Sequence, residues 1–156
     1  MTPALYGRRK LDHTMLSPPA NRDISYIVLH HSGTTVGQWL DAPEIHQWHL
    51  ARGWDGIGYN YVITDDGGLQ HGRPEYWIGS HTKGFNKESI GICICGTGLP
   101  NGSQESTLHD LCFALAQRYP NAKVVGHRDL MGKDHTECPG FDISELEWTK
   151  SIGPEH

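Results

Sequence analysis

The amino-acid sequence predicts one α/β domain, with a central mixed β-sheet flanked by helices. The chain has 156 residues, which is the usual length of a single domain. Segments with strand-like and helix-like patterns alternate along it, as they do when helices cover a sheet. Only 37% of the residues are hydrophobic and 19 are glycine, which favours a compact fold with long loops over a helical bundle.

Five segments predict the strands of this sheet. The segment ISYIVLHH, which begins at Ile24, is continuous in apolar and β-branched residues and indicates a strand buried on both faces. The segments SIGICICG and AKVVGH have the same character. The segments GYNYVIT and LQHGR are separated by DDGG, which favours a tight turn, so they predict a two-stranded hairpin.

Two helices are predicted between these strands. The first begins at Asp41, whose side chain is suited to capping a helix. It continues through Ile45 and Trp48 at helical spacing and ends before Gly53. The second spans residues 105–119, with one apolar stripe and a proline after its end. The tail segment FDISELEWTK also has helical character.

Residues 1–23 lack helical or strand periodicity, and we expect them to form an N-terminal arm followed by one domain over residues 24–156. The beginning of the arm lacks the apolar centre of a secretory signal. No segment of the sequence reaches the roughly eighteen apolar residues that span a bilayer. We therefore expect synthesis in a cytoplasm and no transmembrane segment.

The charge and the cysteines exclude further classes. A formal net charge of -5 provides no basic surface for phosphates, so nucleic-acid binding is not expected. Cys93 and Cys95 lie two residues apart in a predicted strand and point the same way, which suits a disulfide poorly. We expect Cys93, Cys95 and Cys112 to be buried free thiols. Cys138 differs from them because it lies in a polar loop that ends in proline.

Histidines at strand ends and this loop cysteine form a candidate metal site. His30 and His31 end one predicted strand and His127 ends another, where side chains leave the core and enter a cleft. Ten residues separate His127 from Cys138, whose thiolate is able to reach the same point. Two imidazoles and one thiolate leave the fourth corner of a zinc tetrahedron open, which is typical of catalytic sites. The spacing alone is weak evidence for zinc, and it leaves open which of His30 and His31 is the ligand.

Six segments together resemble one enzyme family. In order, the chain carries IVLHHSGT, HQWHLARGWDGIGYNYVI, DGGLQHGR, IGSHTKGFNKESIGICICG, VVGHRDL and ECPGFD. They resemble the zinc N-acetylmuramoyl-L-alanine amidases of the type 2 amidase and peptidoglycan recognition protein superfamily, especially the small amidase-type lysozymes of phages. The resemblance covers residues 25 to about 145. It implies one Zn²⁺ per chain, held by His30, His127 and Cys138.

The resemblance also implies which residues assist the reaction. It puts Tyr59 beside the zinc, although a core tyrosine is an equal alternative from the sequence alone. It puts Thr136 two residues before the cysteine, where the phage enzymes have lysine and active recognition proteins commonly have threonine. The loop between the last two ligands is longer than in the shortest phage enzymes. Lys133 or His135 is therefore a candidate substitute for the missing lysine.

The implied substrate is the amide that joins N-acetylmuramic acid to L-alanine in peptidoglycan. His81 and Asn86 resemble positions that line the substrate groove. Trp54 and Trp77 have the ring area to stack on sugars, but burial in the core is the commoner fate of a tryptophan. We expect the protein to act as a monomer.

Three alternatives remain open. A cysteine peptidase would use Cys138 with a histidine base, although the following proline and the strand-end histidines favour a metal. A non-catalytic recognition module would bind peptidoglycan on the same scaffold, although such receptors characteristically lose the cysteine. The preferred setting is a phage endolysin, made in the host cytoplasm and acting on the cell wall after release to the periplasm. A cytosolic amidase for wall recycling is the other setting.

Overall fold

Five strands form one mixed sheet in the computed structural model, which describes residues 16–154. The order across the sheet is β3-β2-β4-β1-β5, with β2 and β3 antiparallel and the other neighbours parallel. The strands are β1 (Tyr26–His31), β2 (Tyr61–Ile63), β3 (Leu69–His71), β4 (Ser89–Ile94) and β5 (Lys123–Gly126). The predicted mixed sheet and the predicted hairpin of β2 and β3 are confirmed.

In the part of the chain that the structure describes, three α-helices accompany the sheet: α1 (Ala42–Ala51), α2 (Gly102–Arg118) and α3 (His127–Met131). Short 3-10 segments lie at Asn86–Glu88, directly before β4, and at Ile143–Glu145 and Glu147–Ser151, after α3. The last two correspond to the tail for which the sequence indicated helical character. Within residues 16–154, no helix is long and apolar enough to cross a membrane.

Helix α1 begins as its sequence predicts. The Asp41 side chain accepts a hydrogen bond from the backbone N–H of Glu44 and caps the first turn. The buried stripe differs from the prediction, because Trp48 is 40% exposed while Ile45 and His49 are buried. Residues four apart share the face that meets the sheet here, so His49 occupies the inner position that the spacing assigned to Trp48.

Helix α2 begins three residues earlier than predicted. The Asn101 side chain accepts the Gln104 N–H, and the Gln104 side chain accepts the Asn101 N–H, so the two residues form a capping box. The predicted apolar stripe is confirmed, since Leu108, Leu111 and Leu115 are fully buried against the sheet. The apolar side chains of α2 therefore cover one face of the sheet.

The two faces of the sheet have different contents. Ile27 and Leu29 of β1 pack in the large apolar cluster under α2. The smaller cluster on the other face contains Ile45 of α1 and Cys93 of β4, which pairs with His30 in the parallel register. Side chains alternate between faces along a strand, so His30 lies on the α1 face. The candidate site is built on this less apolar side.

A buried carboxylate joins the chain before β1 to the rest of the domain. Glu75 is fully buried and accepts hydrogen bonds from the phenols of Tyr61 and Tyr119, while Arg118 lies 3.1 Å from its Oε2. Arg118 also donates to the carbonyl of Ser17, whose N–H donates to the Tyr61 hydroxyl. Of the predicted N-terminal arm, residues 1–15 lie outside the described residues, and the part from residue 16 to residue 23 packs on the domain.

Candidate active site

Three side chains converge at one end of the parallel strands. The ligand atoms of His30, His127 and Cys138 all lie within 4.8 Å of one another. The Cys138 Sγ lies 3.7 Å from the His30 Nδ1. Two such atoms bound to one zinc at usual bond lengths and a tetrahedral angle lie about 3.6 Å apart. The donor set and its spacing therefore fit one zinc ion.

The three side chains come from neighbouring elements. His30 is near the end of β1, and β5 pairs with β1, so the residue that follows β5 arrives beside it. That residue is His127, which opens α3 and is not the last residue of the strand as the sequence suggested. The backbone N–H of Arg128 donates to the carbonyl of Cys138 at 2.8 Å, which ties the cysteine loop to the start of this helix.

Backbone contacts also orient the cysteine. The His31 N–H donates to Cys138 Sγ at 3.2 Å, an arrangement that stabilises a thiolate. The Cys138 N–H donates to the hydroxyl of Thr136 at 3.1 Å. The His31 side chain is only partly buried, and its Nδ1 is buried without a hydrogen-bond partner. Of the adjacent histidines, His30 is thus the one that the fold brings to the cluster.

In the absence of a metal ion, burial determines the protonation states of His30, His127 and Cys138. It lowers the pKa of His30 well below the usual value, and the nearby imidazoles His81 and His127 lower it further. Burial also lowers the pKa of His127. It raises the pKa of the Cys138 thiol to about 11, against the opposing effect of the His31 N–H. Both imidazoles are therefore neutral and able to offer lone pairs to a cation.

Tyr59 lies beside this cluster. Its ring centroid is 5.0 Å from that of His30. Burial raises the pKa of the Tyr59 phenol well above its usual value, and the thiols of Cys93 and Cys138 add to this effect. The phenol therefore keeps its proton throughout the physiological pH range, and Tyr59 lines the same cleft as the candidate ligands.

The three candidate ligands open into a cleft of about 280 Å³. Four of its lining residues were not singled out as site residues from the sequence: Ser32, His49, Arg52 and Ser80. The Nδ1 of His49 accepts the Gly58 N–H at 2.9 Å, and burial, followed by nearby positive charge, lowers the His49 pKa to about 4. The signal for His49 was its position four residues after Ile45, on the inner face of α1.

Comparison with known proteins gives the family. The N-acetylmuramoyl-L-alanine amidase family matches residues 20–141, which is most of the chain. The chain belongs to this amidase family. An endolysin of Enterobacteria phage K11 is 33% identical over 138 residues, covering 83% of this chain and 88% of that protein.

Solved structures agree with the assignment. An endolysin amidase, LysCS from Clostridium intestinale, superposes with a TM-score of 0.75 at 30% identity, covering 91% of this chain and 93% of that one. A Drosophila PGRP-LB variant in complex with tracheal cytotoxin superposes with a TM-score of 0.71 at 26% identity, covering 95% and 93%. The chain is thus an N-acetylmuramoyl-L-alanine amidase with the amidase and recognition-protein fold.

Of the two residues that the resemblance assigned to the substrate groove of the amidase, His81 lines the cleft with the candidate ligands and Asn86 does not. His81 is 9% exposed, and its Nδ1 is 3.0 Å from the His30 Nε2. Asn86 accepts the backbone N–H groups of His81 and Thr82 through its Oδ1, at 3.0 and 2.9 Å. Asn86 therefore holds the backbone from which the His81 side chain extends.

The remaining candidates of the amidase lie at its surface. Trp54 is 36% exposed and Trp77 is 53% exposed, so the expectation of core burial is wrong for both. Trp54 borders the cleft, whereas Trp77 lines a separate cavity beside α1. Lys133 is exposed with its Nζ 3.8 Å from the Asp142 carboxylate, and His135 is also exposed. Among these residues and Thr136, only Trp54 and Thr136 line the cleft.

Proposed function

We propose that this amidase is zinc-dependent and hydrolyses the amide between N-acetylmuramic acid and L-alanine, with His30, His127 and Cys138 as the metal ligands. The observation that carries the proposal is the convergence of these three ligand atoms within 4.8 Å, next to a protonated Tyr59 and open to a cleft. Three protein ligands leave a fourth corner for reacting groups.

The donor chemistry favours zinc over harder cations. Calcium and magnesium prefer oxygen ligands, whereas imidazole nitrogen and thiolate sulfur are typical zinc ligands. Bound zinc would supply Lewis-acid chemistry, by polarising the scissile carbonyl and making water nucleophilic near neutral pH. The chain itself contributes two neutral imidazoles and one thiol, and the His31 N–H stabilises this sulfur as it loses its proton.

Two hydroxyl groups are suited to assist the reaction. Tyr59 remains protonated, so its hydroxyl is able to donate a hydrogen bond to the carbonyl oxygen as that oxygen gains negative charge. Thr136 accepts the Cys138 N–H with its oxygen, which leaves its own proton free for the same purpose. Both are neutral donors, and a neutral donor stabilises an oxyanion less than a lysine would.

The cleft wall is suited to a sugar and a peptide. The guanidinium carbon of Arg52 lies 5.4 Å from the ring centroid of Trp54, which gives the wall an aromatic face and a positive charge. An aromatic ring stacks on the apolar face of a sugar, and a guanidinium binds carboxylates. The solved complex of PGRP-LB with tracheal cytotoxin supports a cell-wall fragment as the occupant.

A cysteine peptidase is disfavoured by the state of the thiol. Nucleophilic cysteines have a lowered pKa next to an imidazolium or a helix N-terminus. Burial instead raises the pKa of Cys138 to about 11, and the adjacent His30 is held neutral. A non-catalytic recognition module is disfavoured by the complete set of Cys138, both histidines and Tyr59.

The bond that is cut is tested by mass analysis of digested peptidoglycan. We expect intact glycan strands and free stem peptides with new L-alanine amino termini. Products that keep peptide attached to muramic acid would refute the amidase proposal and would point to a glycosidase or a peptidase.

The metal is tested with two cysteine variants. Cys138→Ala should lose zinc and turnover, because two imidazoles bind zinc far more weakly than two imidazoles and a thiolate. Cys112→Ala is the matched control, since Cys112 lies on the buried face of α2 and does not line the cleft. Chelation should abolish activity and added zinc should restore it in the wild type. Full activity of metal-free protein, or of Cys138→Ala, would refute the zinc site.

For the biological setting we propose a monomeric phage endolysin that is made in the host cytoplasm and lyses the wall of a Gram-negative host after release to the periplasm. The phage relatives support this setting. Expressed protein should lyse host cells only after the inner membrane is permeabilised, and light scattering should give one chain per particle. Slow digestion of intact sacculi with rapid digestion of soluble muropeptides would instead favour the wall-recycling alternative.

A further inference from the structure

The His81 ring packs closely against two glycines. A Cβ added at Gly91 would lie 2.6 Å from the ring Cγ and Cδ2, and one added at Gly79 would lie 2.8 Å from Cδ2. The backbone of Gly91 lies in the middle of β4, and its φ angle is not in the left-handed region. Glycine is required at this strand position by the imidazole that packs on it. The fold thus makes room for the His81 ring at two separate points of the chain.

Hydrogen bonds give this ring a direction. The Ser89 hydroxyl donates to the carbonyl of Phe85 at 2.8 Å, because a carbonyl only accepts. Ser89 Oγ lies 3.3 Å from His81 Nε2. Because the Ser89 hydroxyl proton is already donated to Phe85, Ser89 Oγ accepts a hydrogen bond from the Nε2–H of His81. A neutral imidazole carries one proton, so His81 Nδ1 is an acceptor.

The acceptor nitrogen of His81 points at His30. His81 Nδ1 and His30 Nε2 lie 3.0 Å apart, so His30 Nε2 must carry the proton that forms this bond. Thr82 Oγ1 lies 3.0 Å from His81 Nδ1 and 3.3 Å from His30 Nε2. Its hydroxyl donates to the unprotonated His81 Nδ1, so its oxygen is a second acceptor for the His30 proton. The other nitrogen, His30 Nδ1, then keeps its lone pair and faces Cys138 Sγ at 3.7 Å.

We propose that His81 is a positioning residue that fixes the tautomer of His30. The hydrogen-bonded series runs from His30 through His81 and Ser89 to the carbonyl of Phe85. It directs the His30 Nδ1 lone pair towards the point shared with His127 and Cys138. This proposal rests on the proposed zinc site and assigns His81 to the metal rather than to the substrate.

The surroundings of His81 support this role. The side chain is 9% exposed, and both ring nitrogens have partners within the protein. His81 lines the cleft, but a residue that hydrogen-bonds substrate through its side chain needs a free polar atom, and both nitrogens of this ring are already engaged. Asn86 fixes the backbone on either side of the Cα by accepting the N–H groups of His81 and Thr82. The ring is therefore held from its backbone, its edge and both of its nitrogens.

Two substitutions at position 81 distinguish the effect of the acceptor atom Nδ1 from the effect of the bulk of the ring. The amide oxygen of Asn in His81→Asn is able to replace Nδ1 as the acceptor, whereas His81→Leu has a similar bulk and no acceptor. We expect His81→Leu to weaken zinc binding about 10- to 100-fold in a competition assay with a chromophoric chelator, as is usual when the partner of a ligating histidine is lost. His81→Asn should stay within about threefold of the wild type. Ser89→Ala should weaken zinc binding by about tenfold, because His81 is then free to turn its proton towards His30.

The tautomer itself is read in the metal-free protein. Long-range ¹H–¹⁵N NMR correlations should find the His30 proton on Nε2 in the wild type and in His81→Asn, and shared between the two nitrogens in Ser89→Ala and His81→Leu. This measurement needs neither zinc nor activity, so it separates this proposal from the proposed amidase mechanism. It also decides the question in the wild type if the variants fail to fold.

Either of two results would overturn the proposal. The first is a wild-type His30 that carries its proton on Nδ1 in the metal-free protein. The second is a folded His81→Leu variant that binds zinc as tightly as the wild type while its affinity for a soluble muropeptide falls. That second result would show that His81 binds substrate and does not position His30. Absence of zinc binding by the wild type, with the Nε2 tautomer intact, would instead refute the zinc proposal alone.

Discussion

Replacing Gly91 by alanine tests whether the backbone of β4 sets the position of His81. The new methyl group would lie 2.6 Å from two carbons of the ring and 2.7 Å from Nδ1. Comfortable carbon contacts begin near 3.5 Å, so the ring must retreat by about 1 Å. Gly79 lies close to the same ring and limits the directions in which it is able to move.

The size of the effect follows from this displacement. A retreat of about 1 Å takes His81 Nδ1 from its 3.0 Å separation to the limit of hydrogen bonding with His30 or beyond it. An overpacked core costs about 1–3 kcal/mol, and a lost internal hydrogen bond about 1 kcal/mol. We therefore expect Gly91→Ala to lower the free energy of unfolding by about 3 kcal/mol and to weaken zinc binding by roughly tenfold.

The assay compares urea unfolding and zinc competition for two glycine variants. Gly102→Ala is the matched control, because an added Cβ at Gly102, the first residue of α2, meets no atom within 4 Å. Its free energy of unfolding should change by less than about 0.5 kcal/mol, and its zinc affinity should not change. If Gly91→Ala matched the wild type in both measurements, the reasoning that the glycine makes room for the ring would be refuted.

Three further substitutions test other parts of the fold by urea unfolding. Glu75→Gln should cost about 3 kcal/mol, because it leaves the guanidinium of Arg118 without its buried partner; a loss below about 1 kcal/mol would contradict this role. Burial holds the pKa of His49 at about 4, so in chelator its contribution to stability is present above pH 6.5 and falls by about 2 kcal/mol by pH 4.5. His49→Asn keeps an acceptor for the Gly58 N–H and should remove the His49 part of this pH dependence, while the part from His30 and His127 remains; an unchanged slope between pH 7.5 and 4.5 would refute the assignment. Asn101→Ala removes the cap of α2 and should cost about 1 kcal/mol, and a neutral result would show that the cap is dispensable.

The fold was largely predictable because its elements carry local signals. Strands β1 and β4 are continuous apolar segments, and the side chain of Asp41 caps α1 as expected. The start of α2 was misplaced because Asn101 and Gln104 form a capping box ahead of the apolar stripe. Trp48 is exposed although its spacing from Ile45 predicted a buried position, and the less hydrophobic His49 is buried in its place. Tertiary contact with the sheet, which is absent from the local pattern, decided the inner face of α1.

The candidate site was predictable only in part. The positions of His30 and Cys138 came from a strand end, a loop and the family resemblance, but the apolar pattern on both faces of β1 did not distinguish His30 from His31. The sheet register distinguishes them, because it puts His30 on the α1 face opposite Cys93. The contact of His81 with His30 joins residues that are far apart in sequence. No local pattern reports such a contact, although the glycine inside β4 was a sign that something large lay against the strand.

The contacts of Ser17 determine how far the N-terminus can be truncated without destabilising the domain. Its backbone N–H donates to Tyr61, and its carbonyl accepts from Arg118, which also pairs with Glu75. A truncation at Ile24, the predicted start of the domain, would remove these contacts together with the buried side chain of Leu16. A minimal expression unit or a fusion junction therefore belongs before Leu16. A truncation closer to β1 would remove the segment that packs against the buried Glu75 and its partners.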